Sequence, residues 1–197
     1  RITKKDSTPG LLAKLKFGEE INKRLPFFDV DKLTDKRLIA SLYRDYCFLA
    51  SAYSLEPSHY NLKDGIYGIA RDKLPNNIAL PLFLLSEKVE GLPWLDYAYG
   101  YGLNNAVLKD DSLDKGDYKS YKTIRMFNGI DSESGFINVH VAMVSYSGEL
   151  LDYQQKILES CSNKHFEDLE KYLNLHYFTL NKILECLQTM WKACKKS

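Results

Sequence analysis

A single histidine lies inside an otherwise apolar stretch, residues 134–148, with the sequence SGFINVHVAMVSYSG. Phe136, His140 and Met143 are three or four positions apart, so the spacing predicts one face of a helix that Ser134 caps. An imidazole on such a face must be hydrogen-bonded, coordinated, or held neutral beside a pocket, because burying an unpaired polar group is costly. The stripe alone favours a hydrogen-bonded core histidine over a pocket residue.

Other patterns that would indicate catalysis or metal binding do not occur in the sequence. There is no GxSxG, no GxGxxG and no GKS/T phosphate loop. His165 and His176 are eleven positions apart, a poor match to one helix face, and Asp110-Asp111 reads as solvated charge. The four cysteines form no CxxC motif, which favours reduced thiols over a zinc site and predicts a reducing, cytoplasmic setting.

The composition is that of an ordinary globular protein. The 197 residues are 45% hydrophobic and carry 27 basic against 26 acidic side chains. This near balance argues against a general nucleic-acid binder. No run of about 18 apolar residues occurs, and the polar start RITKKDSTPG is not a signal peptide, so no membrane association is expected.

The first 35 residues are predicted to be irregular, and the next segment to be a helix. From Asp35 an apolar position recurs every three or four residues, which predicts a helix with one buried face that ends at Pro57. Arg44 and Asp45 interrupt this pattern, and we interpret them as a solvated face with a local salt bridge.

Residues 74–105 are predicted to form two helices. The first has Pro81 in its opening turn and Gly91 as its stop, and the second restarts at Pro93. Apolar positions on one side of the second helix are Trp94, Tyr97, Tyr101 and Leu108. Glycines in its middle, including Gly100, indicate close approach either by another helix or by a flat ligand.

The rest of the chain is predicted to contain one strand and two long helices. Residues 121–127 are the best strand candidate and Asn128-Gly129 is a turn signal, which together predict a short hairpin. The central helix is expected to continue to about Glu159. The last helix has a long apolar stripe and no Gly or Pro cap, which we interpret as a sign that the sequence is a piece of a longer chain. Its apolar positions are Phe166, Leu169, Leu173, Tyr177, Leu180, Leu184, Leu187 and Trp191.

Three segments, in the same order and spacing, resemble the indoleamine 2,3-dioxygenase family. They are LPNNIALPLFLLSEKVEGLPWLDYA, the helix LYRDYCFLASAY, which is similar to the fungal branch, and FNGIDSESGFINVHVAMV. The last is similar to the stretch in which a strand turns into the helix on the distal side of a haem. The resemblance covers roughly residues 25–160.

The resemblance implies an all-α fold and a specific reaction. The fold would be a small N-terminal helical domain, residues 1–108, followed by a linker, one short β-hairpin and the first helices of a larger haem-binding domain, residues 109–197. The reaction would be cleavage of the indole 2,3-bond of L-tryptophan by O2 to N-formylkynurenine, using haem b, as the first step of the kynurenine route to NAD. The oligomeric state stays open, with a monomer favoured.

The same resemblance assigns roles to individual residues. It implies substrate contacts for Tyr97, Phe136, Ile137 and His140, with His140 as the catalytic candidate. Residues implied to line the haem pocket are Gly100, Tyr101, Phe136 and Met143. His140 stands where many animal members have a serine, and it resembles the histidine of tryptophan 2,3-dioxygenases that hydrogen-bonds the indole N–H. This shifts the interpretation of His140 from core residue to pocket residue.

The chain departs from the family pattern in two places. The proximal haem histidine and the arginine that binds the substrate carboxylate both lie C-terminal to residue 197 in the family. No metal ligand is therefore assigned in this chain, the C-terminal half is expected to be missing, and the chain alone is expected to be inactive. An apolar patch is then expected to be exposed on the Phe136 face. The alternative is a non-catalytic member, either an O2-binding haem protein or a haem-free interaction module.

Overall fold

The computed structural model describes residues 9–194, except for the side chain of Lys63. Helices make up most of this range, and the predicted all-α class is confirmed. The helices are α1 (Phe17–Arg24), α2 (Lys36–Asn61), α3 (Asn76–Lys88), α4 (Asp131–Val144), α5 (Ser147–Asn163), α6 (Phe166–Gln188) and α7 (Met190–Ala193). A π-helix spans Tyr97–Gly102, and short 3-10 turns span Leu62–Asp64, Leu103–Asn105 and Tyr118–Ser120.

The chain divides into two compact units. Among the described residues, the first contains 9–105 and 124–130, and the second contains 106–123 and 131–194. The second unit begins at Ala106, three residues before the start predicted from the sequence. The short segment 124–130 belongs to the first unit again. Each unit has its own apolar cluster, one around Tyr43, Ile78 and Leu82 and the other around Val139 and Ala142.

Helix α2 continues past Pro57, where the sequence predicted its end. Its start is as expected, because the Asp35 side chain accepts the N–H of Leu38 as an N-cap. Proline has no N–H to donate to the Tyr53 carbonyl, which leaves that oxygen without its helical partner. The Arg71 guanidinium donates to this carbonyl, and the Arg71 backbone N–H donates to Ser54 O at 2.9 Å. A residue outside the helix therefore replaces the one bond that proline removes and adds a second bond at Ser54.

The N-terminal segment expected to be irregular contains helix α1. Its first turn is capped by Glu56 of α2, whose carboxylate accepts from the N–H groups of Phe17 at 2.7 Å and Gly18 at 2.9 Å. Arg71 forms an ion pair with the same carboxylate, with 2.6 Å between Arg71 Nη2 and Glu56 Oε2. A Cβ on residue 18 would lie 2.9 Å from Glu56 Oε2 and 2.5 Å from Arg71 Nη2, so a larger residue would require these side-chain ends to shift.

The predicted salt bridge between Arg44 and Asp45 is present, but the prediction that the pair lies on a solvated face is wrong. Arg44 is 6% exposed, and it donates to Asp45 through Nε at 2.8 Å and to Asn104 O through Nη1 at 2.8 Å. Asp45 also accepts two bonds from Arg125, at 2.9 and 2.5 Å. The predicted exposure fails because these bonding partners lie 60 and 80 positions along the chain.

Of the two helices predicted in residues 74–105, the first is present as α3 and the second is not formed as predicted. Helix α3 begins at Asn76, so Pro81 is an interior residue, and the helix ends at Lys88 before Gly91. In place of the second predicted helix there is only the π-helix that starts at Tyr97. Leu108, predicted to lie on that helix, lies in a strand. The π-helix is capped by Asp96, which accepts the Tyr99 N–H at 2.6 Å.

The strand prediction is correct in position but not in length or partner. Strand β2 (Tyr121–Thr123) pairs antiparallel with β1 (Ala106–Leu108), which precedes it, so Asn128-Gly129 is not a hairpin turn between strands. One backbone bond continues the register past Thr123, and the following N–H bonds to a side chain instead. Ile124 N donates to Asn105 O at 2.8 Å, and Arg125 N donates to Asn105 Oδ1 at 2.7 Å.

The predicted central helix is two helices, α4 and α5. Helix α4 starts three residues before Ser134, with Asp131 and Glu133 in the first turn, where acidic side chains favour a helix N-terminus. It ends where the Ser145 hydroxyl donates to Ala142 O at 2.7 Å, a local bond that competes with continued helix. The chain therefore turns before α5 instead of continuing straight to Glu159.

Helices α5 and α6 form a helical hairpin around Lys164, which adopts a left-handed conformation with φ 59°. Helix α6 directs Thr179 and Cys186 inward. Its predicted apolar stripe lies on the other side and is largely exposed, up to 70% for Phe166. The predicted last helix is interrupted at Thr189, so Trp191 lies in α7. The stripe is thus a helical surface that the described residues do not cover.

Candidate functional site

The sequence-predicted residues on α4 share one face of that helix. The rings of Phe136 and His140 are one turn apart, with centroids at 4.6 Å and an edge-to-face angle of 60°. Phe136 is 38% exposed, while His140 and Met143 are half-buried. Ile137 lies beside them at 1% exposure, and its predicted contact with a substrate stays a prediction.

The backbone of α4 fixes which nitrogen of His140 carries the hydrogen. His140 Nδ1 lies 2.8 Å from the carbonyl oxygen of Phe136. A carbonyl can only accept, so Nδ1 must be the donor. In the neutral ring, Nε2 is therefore the nitrogen with a lone pair. In that tautomer the ring also lies edge-to-face against Phe136, one turn earlier on the helix.

A buried amide holds α4 against the sheet. The Asn138 side chain accepts from Thr123 Oγ1 at 2.9 Å and donates to Tyr121 O at 3.3 Å. Ser134, predicted as a cap, instead lies inside the helix with its hydroxyl 2.9 Å from Thr123 Oγ1. These bonds fix the rotation of α4, so that Asn138 faces β2. Sequence reasoning missed Asn138, although a polar residue four positions after Ser134 in an apolar helix was a usable signal.

A glycine allows the C-terminal part of the described chain to pack on α4. A Cβ on Gly135 would lie 2.7 Å from the carbonyl carbon of Ala193 and even closer to its oxygen. Cys194 Sγ lies 3.6 Å from Ser132 O, and Cys186 Sγ lies 3.8 Å from Val139 O. Burial raises the pKa of the Cys186 thiol, which favours the protonated donor. The helix carrying His140 is therefore supported along the side that faces these residues.

The other predicted site residues lie on the π-helix of the first unit. Tyr97 and Tyr101 are neighbours with ring centroids 5.9 Å apart, and Tyr101 stacks on Phe48 at 5.8 Å. Burial raises the pKa of Tyr97, so its hydroxyl stays a hydrogen-bond donor at neutral pH. Gly100 is buried, and a Cβ there would lie 3.0 Å from Leu95 Cδ1. The nearest neighbour of this glycine is thus a side chain of its own unit.

A second buried amide holds the end of the π-helix segment. Asn105 donates through Nδ2 to Tyr101 O at 3.0 Å and to Arg125 O at 2.9 Å. Its Oδ1 accepts from Arg125 N, so both of its amide hydrogens and its oxygen are bonded. Sequence reasoning did not identify Asn105, because its partners lie up to 20 positions away.

Within residues 9–194, no group of three or more His, Cys, Asp or Glu side chains could hold a metal ion. Among the helices in that range, none combines the length and apolar character needed to cross a bilayer.

The comparisons with known proteins identify a family. A search of curated proteins finds no match. The family model described as indoleamine 2,3-dioxygenase matches residues 3–197, which is nearly the whole chain. This agrees with the resemblance of its three sequence segments and with its helical fold. The chain belongs to the indoleamine 2,3-dioxygenase family, a family of haem dioxygenases.

Proposed function

We propose that this protein contributes the substrate-binding face of a haem dioxygenase that cleaves the indole 2,3-bond of L-tryptophan. In this proposal α4 binds and orients the indole, with His140 Nε2 accepting the indole N–H and Phe136 packing against the ring. The product would be N-formylkynurenine. The family assigns substrate and pocket contacts to Tyr97, Gly100 and Tyr101 as well, and we keep these assignments as part of the proposal.

The observation that carries the proposal is the hydrogen bond from His140 Nδ1 to Phe136 O. It selects the tautomer in which the second nitrogen is an acceptor, and the indole N–H of tryptophan is a donor. Orientation of this kind contributes to catalysis because it places the bond to be broken where the reaction occurs. A serine at this position, as in many animal members, would also hydrogen-bond but would give no ring for stacking.

The described residues fit one side of a haem and not its axial ligand. The α4 face has aromatic, apolar and half-buried side chains, which suit the distal wall of a haem pocket. When bound, haem would supply the site at which O2 is activated. Among residues 9–194 we assign no histidine as the iron ligand. The resemblance places that ligand and the carboxylate-binding arginine in a segment beyond the 197 residues.

The exposed apolar stripe on α6 supports the proposal that another segment supplies the haem ligand. Leu173, Tyr177, Leu180 and Leu184 recur at helical spacing on α6, on a surface that the described residues leave open. A contiguous apolar helix face of this kind usually packs against another element. We propose that the helices carrying the haem ligand pack on it in the complete enzyme.

The replacement of His140 by alanine tests the proposed role directly. In the full-length, haem-loaded protein, kcat/KM for L-tryptophan is expected to fall roughly 2- to 13-fold, because one net hydrogen bond contributes about 0.5–1.5 kcal/mol. Haem content is expected to be unchanged, since the iron ligand lies elsewhere. The measurement is steady-state turnover together with haem quantification.

A modified substrate provides the control for the hydrogen bond. 1-Methyltryptophan has no indole N–H, so the loss on replacing His140 should be smaller for it than for tryptophan. If the His140→Ala protein loses haem or unfolds, the histidine is structural. If replacing His140 lowers kcat/KM by the same factor for both substrates, His140 does not hydrogen-bond the indole N–H.

A further inference from the structure

A cavity of about 350 Å³ lies in the first unit, and two of its lining residues, Phe48 and Phe127, stack on Tyr101 from behind. This volume is near the lower end of the range of small-molecule sites, roughly 300–1,000 Å³. Its walls include Phe17, Phe48, Leu49 and Phe127, and its only charged lining residues among those described are Asp45 and Arg125. It shares no lining residue with α4 or with the π-helix.

The charges beside this cavity do not cancel. The Asp45 carboxylate accepts from both Arg44 and Arg125, at distances of 2.5–2.9 Å. One carboxylate between two guanidinium groups leaves one net positive charge. Arg44 is almost fully buried, while the Arg125 side chain is 49% exposed. The excess charge is therefore accessible at Arg125.

Arg125 keeps hydrogen-bonding capacity after it pairs with Asp45. A guanidinium has five N–H donors in a planar fork. The two bonds to Asp45 use Nε and Nη2. Donors on the same group can therefore bind a second oxygen acceptor without breaking the pair to Asp45. Arginine is well suited to this, because its fork matches the geometry of a carboxylate.

The apolar walls favour an aromatic body for the ligand. The rings of Phe48 and Phe127 lie 4.7 Å apart with an angle of 30° between their planes. Rings this close are in contact and form one aromatic surface, on which a flat ligand ring gains apolar burial and aromatic contacts. We propose that this cavity is a second ligand site that binds an aromatic monocarboxylate, with its ring among the phenylalanines and its carboxylate on Arg125.

Calorimetric titration of the 197-residue chain with three matched probes tests the charge requirement. The probes are 3-phenylpropionate, the neutral 3-phenylpropan-1-ol and the cationic 3-phenylpropylamine. The acid is expected to bind about tenfold more tightly than the alcohol, because a hydrogen bond to a charged group is stronger than one to a neutral group and half-exposure weakens it. The amine is expected to bind more weakly still. Equal affinities for the acid and the alcohol would overturn the proposal.

Two variants test the location. Arg125→Gln should abolish the preference for the acid, with Arg24→Gln as the matched control, since Arg24 forms an exposed pair with Glu20 away from the cavity. Ala52→Leu fills the cavity while keeping its charges, and it should weaken binding of all three probes at least threefold. If Arg125→Gln does not fold, Ala52→Leu decides. Unchanged binding of the acid to a folded Ala52→Leu protein would place the ligand elsewhere and refute this site.

Discussion

Replacement of Glu56 by alanine is expected to lower the free energy of unfolding by about 3–5 kcal/mol, as for other buried ion pairs that lose one partner. The carboxylate is 2% exposed, and it binds two N–H groups of α1 as well as Arg71. Its removal leaves the first turn of α1 without acceptors and leaves the arginine charge without its pair. The arginine also bonds to the carbonyl that Pro57 leaves unpaired, so the end of α2 should loosen too.

Urea unfolding followed by circular dichroism measures this effect. The matched control is Asp152→Ala, which breaks the exposed pair with Lys156 on α5. That change is expected to cost no more than about 0.5 kcal/mol, because exposed pairs contribute little. A similar small loss for Glu56→Ala would show that the buried network does not hold α1 in place.

Replacement of Gly135 by alanine is expected to destabilise the second unit by about 1–3 kcal/mol. The added methyl group would overlap the backbone carbonyl of Ala193, which cannot rotate away as a flexible side chain would. Either α7 must shift or α4 must tilt. Because α4 carries His140, the variant should also reduce tryptophan turnover in the full-length enzyme.

A second glycine gives the comparison. Gly148 is in the first turn of α5, and no neighbouring atom lies within 4 Å of the position that a Cβ would take there. Gly148→Ala should therefore be neutral or stabilise by up to about 1 kcal/mol, as expected from helix propensity. Thermal unfolding of both variants gives the difference. Equal melting temperatures would mean that the close contact at Gly135 is not required.

The beginning of α2 and the shared face of Phe136 and His140 could be predicted, because both follow from local signals. Asp35 is a cap directly before an apolar period, and positions four apart on a helix are neighbours. The end of α2 could not be predicted. It depends on Arg71, which lies 18 positions from the carbonyl it binds.

The sequence predicts which residues form the candidate site better than it predicts what those residues bond to. Asn105 and Asn138 fix the π-helix and α4 through bonds across 15 to 20 positions. The split between α4 and α5 depends on one serine hydroxyl bonding back to the helix, and many helices tolerate a serine. The tautomer of His140 follows only from the helix geometry. Periodicity and the family resemblance thus nominated the candidate residues, and long-range polar bonds determine how their helices are held.

The absorption spectrum of the full-length, haem-loaded protein, titrated with L-tryptophan, tests the central claim most directly. The account predicts a Soret band that shifts as tryptophan is added. In His140→Ala the same shift should require roughly 2- to 13-fold more tryptophan, in line with the loss of one hydrogen bond. A Soret band that does not respond to tryptophan at any concentration would contradict the proposed function and favour an O2-binding protein on the same fold.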